Sequence, residues 1–172
     1  MDFDFEFDTG FDLDDDLPPD FYARIILTVM DDAPLLARPR YARAVMGALD
    51  GWDDLWGYVI VPGALRVIVG PTTDTTLDLT VNRLKTQTAA RVLDAIRRAD
   101  DDALDMVLRY SPVWGGAIWQ VWQAGSHRSI FWSEYKLSNA LYDLVQTPVT
   151  LGLVETADQW PWTWMSGDQD EC

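Results

Sequence analysis

The sequence predicts an α+β domain in which helices pack on one face of an antiparallel β-sheet. The chain has 172 residues, 48% of them hydrophobic, which is enough for one domain with a buried core. Segments with strand and helix patterns follow one another in the order β-α-β-β-α, with further elements behind them. The turn pair Pro62-Gly63 separates two apolar strands, as it would in a hairpin of an antiparallel sheet.

The first half of the chain supplies most of this sheet. Residues 21–30 are rich in β-branched and aromatic side chains and predict a first strand. Residues 39–51 carry apolar side chains at helical spacing and predict a helix that stops near Gly51. Residues 55–61 and 65–69 predict the two strands of the hairpin.

The second half is predicted to be mainly helical. Residues 75–98 have one continuous apolar face and predict a long helix. Residues 133–145 predict a last helix, in which Ser133 caps the N-terminus and Pro148 marks the end. Two shorter elements are predicted between these helices: a helix at 101–110 and a strand at 118–122.

The net charge of −15 is concentrated at the two ends of the chain. Residues 1–20 contain nine acidic residues and no basic one, and residues 155–172 contain five acidic residues and no basic one. Residues 21–154 contain 14 acidic and 13 basic residues, so a basic groove is compatible with this part. We therefore predict a domain over residues 21–165, with an acidic N-terminal arm (1–20) and an acidic C-terminal tail (166–172).

The N-terminal arm alternates Asp or Glu with Phe before an Asp run and a Pro pair. Its composition is typical of a solvated, disordered segment. Its carboxylates and phenyl rings would also suit a mimic of single-stranded nucleic acid that covers a basic, base-stacking groove. The alternation with a period of two is also compatible with a β-strand that pairs with a partner protein or with a sheet edge.

The residue inventory limits the chemistry and the setting. The single cysteine, Cys172, excludes a disulfide framework or a thiolate metal cluster within the chain. No signal segment is visible, and no apolar run reaches membrane-spanning length. We expect a reducing, cytoplasmic setting without membrane contact.

The hairpin strand YVIVPGALRVIV, residues 58–69, resembles a strand of the IS200-like and REP-associated tyrosine transposases, which belong to the HUH type. In that family two metal-binding histidines stand at the positions of Ala64 and Arg66. Three further blocks resemble the family in the same order along the chain: residues 84–91, 122–128 and 133–162. The resemblance covers residues 22–164 and implies the family's ferredoxin-like fold.

The resemblance also implies which catalytic and metal-binding side chains of the family are absent from the matching positions of this chain. In the family, a tyrosine on the last helix attacks a DNA phosphodiester and becomes linked to a 5′ phosphate, with Mg or Mn held by the histidines and an amide side chain. The tyrosine position is Asp143 here and the amide position is Thr147. Tyr142 is one residue away, a rotation of about 100° around the helix. The resemblance therefore implies neither an intact catalytic residue nor a bound metal or other cofactor.

Arg66 introduces a guanidinium where the family holds a metal ion. It could pair with Asp143, bind a phosphate bidentately, or simply be exposed. His127, the only histidine, suits a loop or core position or a phosphate contact. The basic residues of the predicted long helix could contact nucleic acid or be ordinary solvated surface charges. The candidate nucleic-acid-binding residues are Arg24, Arg66, Lys85, Arg91, His127 and Arg128.

These observations favour a catalytically inactive relative of the transposases that is retained as a DNA-binding or regulatory protein. Its expected partner is single-stranded or hairpin DNA. A second hypothesis is a protein-interaction or inhibitor module whose acidic arm engages a basic protein and whose body forms a homodimer, since the family often pairs through sheet edges. A third is an active transposase or nickase that uses Tyr142.

Overall fold

The computed structural model describes residues 20–99, 102–111, 113 and 115–167. The predicted arm and tail therefore lie outside the described residues, except for Asp20, Ser166 and Gly167. Within these ranges, the strands in chain order are β1 Phe21–Thr28, β2 Leu55–Val61, β3 Ala64–Thr72, β4 Leu108–Ser111, β5 Gly116–Trp119, β6 His127–Phe131 and β7 Thr163–Met165. The α-helices in the same ranges are α1 Pro39–Leu49, α2 Asp74–Ala99, α3 Ala103–Val107 and α4 Glu134–Thr150.

Five strands form one antiparallel sheet in the order β6-β1-β3-β2-β7, and β4 pairs with β5 as a separate two-stranded sheet. The predicted α+β fold with an antiparallel sheet is confirmed, including the hairpin around Pro62-Gly63. No helix in the described part of the chain is both long and apolar enough to cross a membrane.

Alternation along β1 separates the two faces of the sheet. Phe21, Ala23, Ile25 and Leu27 are buried in the main core together with apolar residues of α1 and α2. The intervening residues of β1, from Tyr22 to Thr28, point to the opposite face because successive strand side chains alternate. We refer to the first face as the helix-layer face.

The opposite face is covered in part by α4. Leu137, Ala140 and Leu144 of α4 form a second apolar cluster with Val59 and Ile68 of the sheet. The sequence predicted helices on one face only. The structure differs because the apolar side of α4 has its partners among the residues of β2 and β3 that point away from α1 and α2. We refer to this face as the α4 face; it also carries Arg24, Arg66 and their neighbours on β1, β3 and β6 described below.

Two local predictions need correction. α4 begins as predicted, with the Ser133 hydroxyl accepting the backbone N–H of Lys136 at 3.1 Å, but it continues through Pro148 to Thr150. A proline this close to the C-terminus removes only one helical hydrogen bond, and its ring is buried. The predicted helix at 101–110 ends at Val107, because residues 108–111 form β4 and pair with β5.

A buried hydrogen-bond relay fixes α2 against the segment before β6. The indole N–H of Trp122 donates to Thr88 Oγ1 at 2.9 Å, and the Thr88 hydroxyl donates to the Leu84 carbonyl at 2.6 Å. Thr88→Val keeps the side-chain shape but leaves the Trp122 N–H without an acceptor. We expect the free energy of unfolding to fall by about 1–3 kcal/mol in urea titrations.

The exposed Thr86 on the same helix supplies the control. Thr86→Val should change the free energy of unfolding by less than about 0.5 kcal/mol. Trp122→Phe should cost less stability in the Thr88→Val background than in the wild type, because the N–H donor that it removes has already lost its acceptor. Equal stability of Thr88→Val and the wild type would show that the relay contributes nothing.

Candidate nucleic-acid interface

The α4 face has a covered half and an open half. α4 packs on β2, β3 and β7. On β1 and β6, the pairs Arg24–Ser129 and Ile26–His127 stand side by side on this face. Arg24, Ile26 and Ser129 are partly exposed and His127 is exposed. We call these four residues, together with Arg66 at the border of α4, the open half of the α4 face.

The register between β1 and β3 brings two arginines together in this open half. Arg24 pairs with Ile68 and Ile26 pairs with Arg66, so Arg24 and Arg66 are diagonal neighbours on the same face. Diagonal neighbours with long side chains are within reach of each other. The structure therefore places two guanidinium groups at one site, where the sequence identified two separate bases.

Neither arginine has an acidic partner among the described residues. Both side chains are partly buried, and the Nε–H groups of both are fully buried without a hydrogen-bond acceptor. Burial lowers the pKa of Arg66, and the neighbouring charge of Arg24 lowers it further. Arg66 nevertheless remains a cation, because a guanidinium does not deprotonate in proteins. Two half-buried cations without a carboxylate form a site suited to an anion.

Pairing with Asp143 was one of the three possibilities for Arg66. No ion pair joins Arg66 to Asp143 among the described residues, and Asp143 is exposed on α4. The prediction of plain exposure for Arg66 also differs from the structure, since its side chain is partly buried. Arg66 is therefore a partly buried cation without a carboxylate partner among the described residues.

The residues at the family's metal positions do not fit a divalent metal. Ala64 has no ligand atom, Arg66 is a cation, and the Thr147 hydroxyl donates to the Asp143 carbonyl at 3.0 Å. Within the described ranges, no group of three or more His, Cys, Asp or Glu side chains is arranged to hold a metal. Tyr142 is 66% exposed on the outer side of α4.

The other candidate bases occupy two different places. Lys85 and Arg128 lie near each other beside the edge strand β6, where burial and the charge of Arg128 lower the pKa of Lys85. Lys85 Nζ donates to the Gln123 carbonyl at 3.2 Å, and Arg128 forms an ion pair with Asp78. Arg91 lies on α2 beside α1, on the far side of the helix layer. Of the six candidates, Arg24, Arg66 and His127 share the open half.

The sequence did not identify the aromatic residues that adjoin this site. The ring of Tyr22 stacks on Phe131 at 6.0 Å between centroids and meets Trp56 edge-on at 5.7 Å. The indole N–H of Trp56 donates to the Gly70 carbonyl at 2.8 Å. Tyr22 precedes Arg24 by two residues and shares its face. The available signal was the alternation along β1, which puts this aromatic ring next to the arginine on that strand.

The chain matches known proteins in structure and not in sequence. No protein-family model and no curated protein sequence matches the chain. A REP-associated tyrosine transposase, solved bound to a REP hairpin, superposes with a TM-score of 0.55. The match covers 86% of this chain and 77% of that chain at 12% sequence identity.

The chain has the fold of this transposase. At this level of identity the likeness concerns the fold, and it confirms the transposase-like architecture that the sequence blocks predicted. Within the transposase fold, the strand that carries Ala64 and Arg66 lies under α4, the helix that carries Tyr142, Asp143 and Thr147. The two elements that the resemblance singled out are therefore neighbours in space.

Proposed function

We propose that the protein binds single-stranded or hairpin nucleic acid on the open half of the α4 face and does not cut it. The observation that carries this proposal is the pair Arg24 and Arg66, two neighbouring half-buried guanidinium groups without an acidic partner among the described residues. Burying a charge without a counterion costs free energy. An anionic ligand that pairs with both groups offsets this cost.

The proposed contacts follow from the chemistry of the open half. The guanidinium forks can bind phosphate oxygens bidentately, and the exposed ring of His127 can add a further contact. The rings of Tyr22 and Trp56, both partly exposed, lie along the same face, and Tyr22 is stacked on the buried ring of Phe131. Aromatic rings next to a basic site are the arrangement in which proteins stack the bases of single strands.

The residues at the family's reactive positions support binding without cleavage. The nucleophile position is Asp143, and the metal positions lack a usable ligand set, as described above. Tyr142 is exposed, but it lies one helical position away from the family nucleophile. An active enzyme that uses Tyr142 predicts a covalent protein–DNA adduct in magnesium or manganese, and a Tyr142→Phe variant would lack it. Detection of such an adduct would refute the non-catalytic part of the proposal.

Binding can be tested on the full-length protein with a fluorescently labelled library of DNA hairpins. Anisotropy titrations at about 50 mM and about 200 mM salt should show affinity that falls with salt, because phosphate contacts release counterions. Arg24→Met/Arg66→Met should lower the affinity at least about ten-fold. The salt slope should fall by about 2, because each arginine that no longer pairs with a phosphate removes roughly 1 from it.

The control is Arg97→Met, since Arg97 lies on α2 with its guanidinium 5.5 Å from the ring of Trp119 and away from the α4 face. This variant should bind as the wild type does. The proposal would be wrong if the wild type does not bind at the lower salt, or if the double variant and the wild type bind equally.

One observation favours the second hypothesis, a protein-interaction module. The β4–β5 hairpin carries several exposed apolar residues, among them Tyr110 at 72%, Val113 at 84% and Trp119 at 44% exposure. Exposed apolar groups that cluster on one element often mark a protein interface. If hairpin DNA does not bind, sedimentation at rising protein concentration would test whether the β4–β5 hairpin mediates a dimer.

A further inference from the structure

A second basic site lies on the outer surface of the helix layer. Two adjoining hollows run between α1 and α2, and Arg91 and Asp94 line both of them. We call them together the α1–α2 groove. Its lining includes two aspartates but five arginines: Arg40, Arg43, Arg83, Arg91 and Arg98.

Most of these arginines have no carboxylate partner within the described part of the chain. Asp94 pairs with Arg98 at 3.0 Å, and Arg83 lies 4.4 Å above the ring of Trp52. Arg40, Arg43 and Arg91 form no ion pair among the described residues. The α1–α2 groove therefore presents an excess of positive charge toward solvent.

Small residues of both helices also line the groove, among them Ala44, Gly47, Ala48 and Ala90. Among the described residues, Arg91 alone approaches the side-chain position of Gly47, at 3.9 Å. These small side chains let an extended main chain approach the helices. Arginines beside small apolar residues suit a ligand that alternates negative charge with apolar groups.

We propose that the acidic N-terminal arm, residues 1–19, docks in the α1–α2 groove. The arm contains eight acidic residues and no basic one, and Phe alternates with acids over its first eight residues. In an extended segment, alternate side chains point to opposite sides. If the segment lies edge-on along the groove, its carboxylates can face Arg40, Arg43 and Arg91 while its phenyl rings face the small residues of the groove.

The attachment point of the arm permits this docking. Phe21, the first residue of β1, pairs with Thr72, which lies just before α2. Arg91 is roughly 25 Å along α2 from its first residue, at about 1.5 Å per residue. Nineteen extended residues span up to about 63 Å. A tethered segment also has an effective concentration on the order of millimolar, which favours it over a free polyanion.

Docking here would hold the arm on the opposite side of the molecule from Arg24 and Arg66. The eight carboxylates of the arm would then lie away from the open half of the α4 face and would not repel a nucleic acid there. The inference rests on the α1–α2 groove and the arm alone, so it stands or falls independently of nucleic-acid binding.

Paramagnetic relaxation in the full-length protein tests the docking. A nitroxide is attached to Thr9→Cys in a chain that also carries Cys172→Ser, which leaves one labelled site. Backbone amides of Gly47, Gly51 and Ala90 should lose most of their signal at low salt, while those of Ala64 and Ser129 on the α4 face keep theirs. Salt at about 0.5 M should restore the signals, since it shortens the range of charge interactions to a few ångströms.

Two matched charge reversals on α2 complete the test. Arg91→Glu should abolish the relaxation effect at Gly47 and Gly51, because it reverses the charge where the two hollows meet. Arg97→Glu makes the same change on the same helix toward Trp119 and should leave the effect in place. Broadening at Ala64 and Ser129 instead, no broadening anywhere, or equal broadening with and without Arg91→Glu would each overturn the proposal.

Discussion

Replacing Arg66 with methionine is expected to stabilise the protein and at the same time weaken its binding of nucleic acid. The Nε–H of Arg66 is buried and has no hydrogen-bond acceptor. The positive charge of Arg24 lies beside it. Methionine retains an unbranched apolar stem that packs in the same space. Removal of the unpaired donor should raise the free energy of unfolding by about 1 kcal/mol.

Urea denaturation of Arg66→Met and Arg128→Met measures this effect on the two strands, β3 and β6, that flank β1. Arg128 is a matched control because it lies on β6 and is satisfied by Asp78 and Ser126. Its replacement should cost up to about 1 kcal/mol, as expected for an exposed ion pair. A decrease of stability in Arg66→Met would identify Arg66 as a structural residue and contradict its assignment to ligand binding.

The second large effect is expected at Gly57, where α4 comes closest to the sheet. A Cβ atom at this position would lie 3.0 Å from Leu144 Cδ2, 3.1 Å from the Trp164 carbonyl oxygen and 3.2 Å from Leu141 Cδ2. The carbonyl belongs to β7, which pairs with β2 at this point and cannot move freely. Gly57→Ala should therefore lower the free energy of unfolding by about 1–3 kcal/mol.

Gly47→Ala, in contrast, should raise the free energy of unfolding. Gly47 lies within α1, and among the described atoms Arg91 Nη1 alone comes within reach of its added Cβ, at 3.9 Å. Alanine is favoured over glycine inside a helix by about 0.5–1 kcal/mol. Thermal and urea denaturation of the two variants should shift in opposite directions. Equal shifts would show that α4 does not pack tightly on β2.

The sequence predicted the main strands and helices because their apolar spacing is a local property. The side of the sheet that α4 covers is not local, since the apolar residues of the helix, such as Leu144, do not indicate which sheet face will bury them. Pro148 predicts a helix end, because a proline usually disrupts a helix. Its burial near the C-terminus, which makes it tolerable, depends on the tertiary fold.

The sequence identifies the basic residues of the candidate site, but it does not predict their arrangement or the aromatic residues beside them. Arg24 and Arg66 were both named from the sequence, yet their proximity depends on a strand register that the sequence does not display. The partner of Arg128, Asp78, lies 50 residues away in the chain. Separation along the chain therefore concealed that Arg24 and Arg66 are neighbours, and also that Arg128 is already neutralised.

The position of Arg24 and Arg66 on two paired strands has a kinetic consequence. Because the ladder between β1 and β3 fixes both backbones, a ligand finds these side chains in place and no loop must close or order around them. Association with a polyanion should then proceed in a single phase whose rate constant rises as salt is lowered, as expected for electrostatic steering. Changes in affinity among variants of this site should appear mainly in how long the complex lasts.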